Sequence, residues 1–339
     1  MMKKHFGISL IALTLFLAAC GNKVENQKGS LPTTEQSSMA KEDSKSVENT
    51  ESSPSKEDIR TETAESASAH NSLTPVSKAK MSLKYSNLVD QETRDRVSKA
   101  LKNAGLKEEK IKAFLEAVDE YNNAVGKENL VQEMTQIDKA FPTLDTDKLV
   151  DAWLDKGGFV GRNCRITTYS LMGDFITIGN QTPGDTTMLF SDFNAISTKS
   201  IFTGEDKKKF DTLFSFIDVT NTHDTKVLAE EIQKSWKEKE VSFHNDKMHL
   251  ISVFMTMDDG MNKVQEFVGH VGVLVQDGDK YLFIEKLAFE LPYQVEEFSN
   301  LQELNDYLMG YYDQDAEGLT AKPLIFEDDH VLKEYRVVE

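Results

Sequence analysis

Phe267-Val268-Gly269-His270-Val271-Gly272-Val273-Leu274-Val275-Gln276, then Asp277-Gly278-Asp279, then Lys280-Tyr281-Leu282-Phe283-Ile284-Glu285-Lys286-Leu287-Ala288-Phe289 is the stretch that decides the fold. Two runs rich in Val, Ile and Phe flank a turn signal, and that pattern predicts an antiparallel hairpin. A similar run from Leu250 to Met257 precedes it across Asp258-Asp259-Gly260, which extends the hairpin to a three-stranded meander. If Asp277-Gly278 is the two-residue turn, Gln276 pairs with Asp279 and His270 falls opposite Glu285. A carboxylate beside an imidazole orients the ring and favours its protonated form.

Upstream of this meander the period changes to that of helices. Asp90 is placed to cap a helix running to about Asn103, with Val97 and Leu101 on one face and Gly105 as the stop. Glu108 to Asn122 repeats the pattern, and Asp145 or Thr146 opens a third helix that Gly157-Gly158 ends. Residues 207–216 and 225–239 read as further helices within a mainly helical middle. Downstream, Ser299 to Tyr311 is a helix and Glu334 to Val338 an edge strand. The expected class is α+β, a helical N-terminal part packed with a C-terminal antiparallel sheet.

Between the third helix and the meander stands Gly161-Arg162-Asn163-Cys164-Arg165-Ile166. Asn163 is a favoured N-cap, so Cys164 becomes the first helical residue. Free N–H groups and the positive end of the helix favour a thiolate there, and Arg162 and Arg165 add to this. The same N–H groups suit an oxyanion. An inert core thiol is the plainer alternative, because free cysteine is among the most buried residue types.

A cysteine at a helix start, a histidine on a strand and a polar residue on the next strand resemble the NlpC-type, papain-like cysteine hydrolases. Gly269-His270-Val271-Gly272 resembles their histidine strand and Phe283-Ile284-Glu285-Lys286 the strand of the third residue. The resemblance implies a papain/NlpC-like fold with Cys164 as nucleophile, His270 as general base and Glu285 as orienting group. Asn163-Cys164-Arg165-Ile166 departs from the Asp-Cys-Ser-Gly usual there, and the helical insertion between Cys164 and His270 is longer. Over residues 83 to 339 the chain also resembles a Gram-positive lipoprotein family, domain of unknown function 4300. Tyr85-Ser86-Asn87-Leu88, Asn163-Cys164-Arg165-Ile166-Thr167, Phe283 to Phe289, Pro292-Tyr293-Gln294 and Leu304-Asn305-Asp306-Tyr307-Leu308 carry that resemblance. Asn163 and Gln294 are candidates for oxyanion donors or supporting residues.

The N-terminus reads as a signal peptide over residues 1–19. Lys3 and Lys4 precede a short uncharged run, and Leu17-Ala18-Ala19-Cys20 ends it. The run falls short of the roughly 20 apolar residues that span a bilayer. The small residues before Cys20 resemble a bacterial lipobox, which implies a diacylglyceryl thioether on Cys20 and cleavage before it. Residues 20–82 then hold Ser, Thr, Glu, Lys and Asn, with no aromatic residue from 21 to 80. Such a segment buries too little apolar surface to offset its ordering entropy and reads as a disordered tether. Residues 83–339 are expected to form one α+β domain held on the outer face of the cell membrane by lipid.

The chain has 39 basic and 57 acidic residues, a net charge of −18. That excludes nucleic-acid binding through bulk charge. The chain has two cysteines. Lipidation consumes Cys20, so Cys164 is left without a disulfide partner. No cofactor or metal is expected. Asp313-x-Asp315-x-Glu317-Gly318 begins like a calcium loop but has Leu324 where the bidentate Glu is needed. Two functions remain open: a cysteine-dependent peptidase or amidase acting on cell-wall or surface peptides, and a non-enzymatic surface binding lipoprotein of the same fold.

Overall fold

Local capping chemistry sets the helix starts in the computed structural model, which describes residues 81–138, 144–260 and 263–338. The expected signal peptide, Cys20 and nearly all of the tether lie outside the described residues. In chain order the N-terminal part runs β1 (Leu83–Ser86), α1 (Gln91–Asn103), α2 (Glu108–Val125), β2 (Thr135–Ile137), α3 (Thr146–Lys156) and α4 (Cys164–Met172). Then come β3 (Ile176–Ile178), α5 (Phe190–Lys199), α6 (Gly204–Phe214), β4 (Ile217–Val219), α7 (Thr225–Glu238) and β5 (Val241–Phe243). The last part is β6 (Met248–Asp258), β7 (Val264–Asp277), β8 (Lys280–Lys286), β9 (Tyr293–Phe298), α8 (Leu301–Tyr312), β10 (Leu324–Glu327) and β11 (His330–Val331).

Asp90 accepts from Thr93 N at 2.8 Å, Asp145 from Lys148 N at 3.2 Å and Asn163 from Ile166 N at 2.9 Å. Each satisfies an N–H that the first turn leaves open, and loss of such a cap costs about 1 kcal/mol.

The class is α+β, but the sheet is larger than a meander. Nine strands join among the described residues, in the order β11-β10-β6-β7-β8-β9-β1-β2, with β4 also on β7. Every described pairing is antiparallel. The helical N-terminal part thus lends β1 and β2 to the far edge, where four- and three-residue strands give little periodicity to read.

One sheet face is covered by the long helical part through Val268, Val271, Val273, Val275 and Ile284. The opposite face packs Leu274, Phe283 and Val253 against Leu304, Tyr307 and Leu308 of α8. Burying the apolar side of each layer between the two is what holds them together.

Two expectations need correction. Residues 334–338 are not a strand. Asn305 Nδ2 donates to Arg336 O at 2.9 Å and Asn305 Oδ1 accepts from Arg336 N at 3.1 Å, so a side chain takes the backbone groups a ladder would use. β10 and β11 form that edge instead.

The hairpin register also differs. Asp277 pairs with Lys280, so Gly278-Asp279 is the turn. Gly278 has φ +66° while Asp279 stays negative, the pattern of a type II′ turn with Gly in its first central position. The shift is two residues, which preserves faces.

Candidate active site

β7 carries His270 next to an irregularity. Val253 of β6 pairs with His270 but Phe254 pairs with Val268, so Gly269 is an extra residue, a β-bulge. Val268 and Val271 consequently join the same apolar cluster although three positions apart, and His270 shares a face with Val253. The β7–β8 ladder ends at Val273↔Ile284. At the level of His270 the strands have parted, and Leu287, Ala288 and Phe289 line a cavity beside it.

Glu285 is not directly opposite His270 in the observed register but lies diagonally across, on the same face. Diagonal neighbours remain within reach of long side chains. His270 Nε2 donates to Glu285 Oε2, and Tyr312 stacks on the imidazole with centroids 4.6 Å apart and an 18° angle. The other carboxylate oxygen of Glu285 accepts from Tyr307 OH at 2.7 Å and Gln294 Nε2 at 2.8 Å. Gln294 sits opposite Glu285 in the β8–β9 register. Its amide also donates to Tyr307 OH at 3.0 Å. Of the two roles considered for Gln294, the supporting one fits, because its donor is spent behind Glu285.

Cys164 is the first residue of α4, which packs on β7 through Thr168 Oγ1 to Val271 O at 3.2 Å and Arg165 Nη1 to Val268 O at 3.2 Å. The thiol lies beside His270 on the same cavity, close enough for each group to shift the proton affinity of the other. Since Nε2 serves Glu285, Nδ1 is left to face the sulfur. Asn163 is likewise a support: Oδ1 caps the helix and Nδ2 donates to Asp192 Oδ1 at 2.8 Å. The Cys164 and Arg165 N–H groups have no partner within the helix, as first-turn positions require.

Arg165, the departure from the small residue usual after such a cysteine, is buried and bidentate on Asp192 of α5, at 3.0 and 2.7 Å. A buried guanidinium demands a carboxylate. Neither the burial of Arg165 nor its partner Asp192 was legible in the sequence, which assigned Arg165 only to favouring the thiolate.

Electrostatics favour a charged triad. Burial pushes the Cys164 thiol up, but the hydrogen bond and charge of His270, then the charge of Arg165, outweigh it and hold the thiol below its usual value. Burial pulls His270 down, yet the Glu285 carboxylate and the bond to Cys164 push it up to about 9. For Glu285, burial is again opposed, by the His270 charge and the bonds from His270, Tyr307 and Gln294, and the net shift is downward. All three shifts run toward a thiolate, an imidazolium and a carboxylate.

One member was missed altogether. Glu296 of β9 is fully buried. Burial, and then the charge of the neighbouring Glu285 carboxylate, hold its carboxyl well above the usual range. Its place beside Glu285 follows from β8–β9 pairing, which sets Glu296 opposite Phe283, two residues before Glu285.

Among the described residues no group of three or more His, Cys, Asp or Glu is arranged to hold a metal ion. No described helix is long and apolar enough to cross a membrane. Residues 84–332 match a protein family described as "Domain of unknown function (DUF4300)". No curated protein and no solved structure matches the chain.

Proposed function

The chain belongs to the DUF4300 family, whose description names no activity, and from its site we propose a cysteine-dependent hydrolase of peptide or amide bonds. The observation that carries this reading is the series Cys164–His270–Glu285 from three separate elements, with Cys164 and His270 side by side on one cavity and Glu285 hydrogen-bonded to His270 behind it. The order and roles correspond to those of NlpC-type, papain-like enzymes, with Glu285 as the third member.

The Cys164 thiolate attacks the substrate carbonyl carbon, forming a C–S bond. Negative charge moves to the carbonyl oxygen, where the first-turn N–H groups of α4 stabilise it. The His270 imidazolium gives its Nδ1 proton to the departing amine as the C–N bond breaks. Water then attacks the thioester while His270 takes its proton. The C–S bond breaks and the acid leaves. Glu285 keeps the ring oriented and the imidazolium stabilised throughout, a role that needs no proton on the carboxylate.

The proposed setting is the outer face of the cell membrane, with the domain tethered through lipid on Cys20 and surface or cell-wall peptides as substrates. Metabolic palmitate labelling that Cys20→Ala abolishes supports this anchor, and equal labelling of the variant refutes it.

Alkylation of the thiol tests the activity. Native protein should react with iodoacetamide at pH 6.5, where an ordinary thiol of pKa about 8.5 is only ~1% thiolate. His270→Ala should cut the rate by roughly two orders of magnitude on that basis. A native thiol inert to iodoacetamide and to a smaller reagent, with no effect of His270→Ala, ends this reading in favour of a binding lipoprotein.

A further inference from the structure

The cavity that Cys164 and His270 open onto has a volume of about 170 Å³. An apolar cavity of roughly 150 Å³ holds one benzene-sized group. Away from the nucleophile its walls are Met188, Phe190, Met255, Leu287, Phe289 and Leu291. Both cationic groups on its lining are already engaged, His270 by Glu285 and Arg165 by Asp192. Arg165 is spent on Asp192 and the Val268 carbonyl, and Glu290 adds a half-buried carboxylate.

The wall formed by residues 287–291 is fixed from behind. Buried Lys286 donates through Nζ to the carbonyls of Ala288 (2.8 Å), Phe289 (3.3 Å) and Leu291, and lies 4.1 Å from the Tyr121 ring centroid. Gly161, at φ +111°, approaches Phe289 O so closely that a Cβ there would sit 2.4 Å from it. A cavity braced in this way exists before the ligand arrives, so little ordering cost falls on binding.

We propose that this cavity is an acyl-group specificity pocket, which accepts one uncharged aromatic or branched aliphatic group and rejects an acyl group bearing a carboxylate. The inference rests on the thiol hydrolase reading and narrows it: the acyl side of the substrate is apolar, and free acidic groups of a peptide lie elsewhere. Apolar fit supplies the attraction, since one methylene in such a pocket discriminates by about 10- to 200-fold. Glu290 supplies the repulsion.

The test uses p-nitrophenyl esters of acetate, 4-methylpentanoate, 3-phenylpropionate and succinate with the intact protein. In each, the thiolate attacks the ester carbonyl, a C–S bond forms, and the C–O bond breaks to release nitrophenolate. Water then cleaves the thioester to the acid and regenerates the thiolate. The two apolar esters should exceed acetyl by at least tenfold in kcat/KM, and the succinyl ester should fall below it. Ala288→Leu should lower the phenylpropionyl-to-acetyl ratio, and Glu290→Gln should raise the succinyl-to-acetyl ratio. A flat series, or a preference for succinyl, overturns the pocket inference while the nitrophenolate burst still reports a nucleophile. A second arm removes the chemistry: Cys164→Ala protein should bind 3-phenylpropionamide and not succinamate by calorimetry. Failure of that arm overturns the pocket whatever the thiol does. Failure of the burst with the binding preference intact overturns the hydrolase alone.

Discussion

Arg165 with Asp192, and His270 with Glu285 and Glu296, are two buried ionisable sets beside one cavity, yet they are built differently. In the first, one cation meets one anion. Asp192 accepts from Arg165 through both oxygens and from Asn163, and the remaining guanidinium donor reaches Val268 O. In the second, Glu285 alone meets the imidazole, and a further buried carboxyl, that of Glu296, stands beside Glu285. A saturated pair can only hold a shape, because moving any proton strands a charge. A set with surplus carboxylate must keep a proton somewhere, and its proton affinities become adjustable. The saturated cluster positions the helix that carries Cys164, and the unsaturated one tunes the imidazole beside it.

Substitutions on the two sides can break or sharpen that contrast. The largest effect should come from Asp192→Ala, which leaves Arg165 buried and unpaired and should cost about 3–5 kcal/mol in urea unfolding. A loss under about 1 kcal/mol, as for an exposed pair, refutes the description of a saturated structural cluster.

Next in size is Glu285→Gln, read through pH. The His270 pKa, raised to about 9 in the folded protein, should fall once the carboxylate charge is gone. In the parent protein this raised value contributes stability that is complete below the ordinary histidine pKa of about 6.5 and is lost as pH climbs through about 9. In the variant that alkaline loss should shrink or vanish, and the alkaline limb of hydrolysis should move to lower pH. An unchanged limb separates the carboxylate from the imidazole.

The smallest change belongs to Glu296→Gln. A carboxyl held well above its usual range stabilises fully below the unfolded value and loses that contribution as pH rises. A neutral amide has no such loss, so the gain in melting temperature over the parent should grow from pH 4 to pH 9. A gain that is independent of pH shows that the Glu296 carboxyl is not held above its usual range.

Local chemistry was legible in the sequence and long-range geometry was not. Asp90, Asp145 and Asn163 cap helices where the sequence places them, because a cap depends on three or four neighbouring residues. The His270–Glu285 contact is present, though on a register two residues from the one derived. Asp277-Gly278 and Gly278-Asp279 both suit a tight turn, and only an even shift keeps the pair on one face. Asp192, Glu296, Tyr307 and Tyr312 carry no signal of their own. Their relation to the site exists only after β8 and β9 have paired, α5 has met α4 and α8 has packed on the sheet. The edge strand expected at residues 334–338 failed for the same reason, since Asn305 of α8 takes the backbone that a strand would have used.

Gly269 divides β7 into two halves of opposite phase, and that gives the site an unusual profile under mutation. Substituting Gly269 meets the flexible Met255 side chain first, a neighbour able to give way. Deleting it would make Val268 and His270 neighbours, and ordinary alternation already sets neighbours on opposite faces, so the ladder would close up with both side chains where they are. A lineage can therefore lose one residue at this point, whereas a single deletion elsewhere between Val271 and Val275 would turn the histidine to the other face. A gap placed at Gly269 when related chains are aligned would be compatible with an unmoved histidine, and a gap a few residues further on would not.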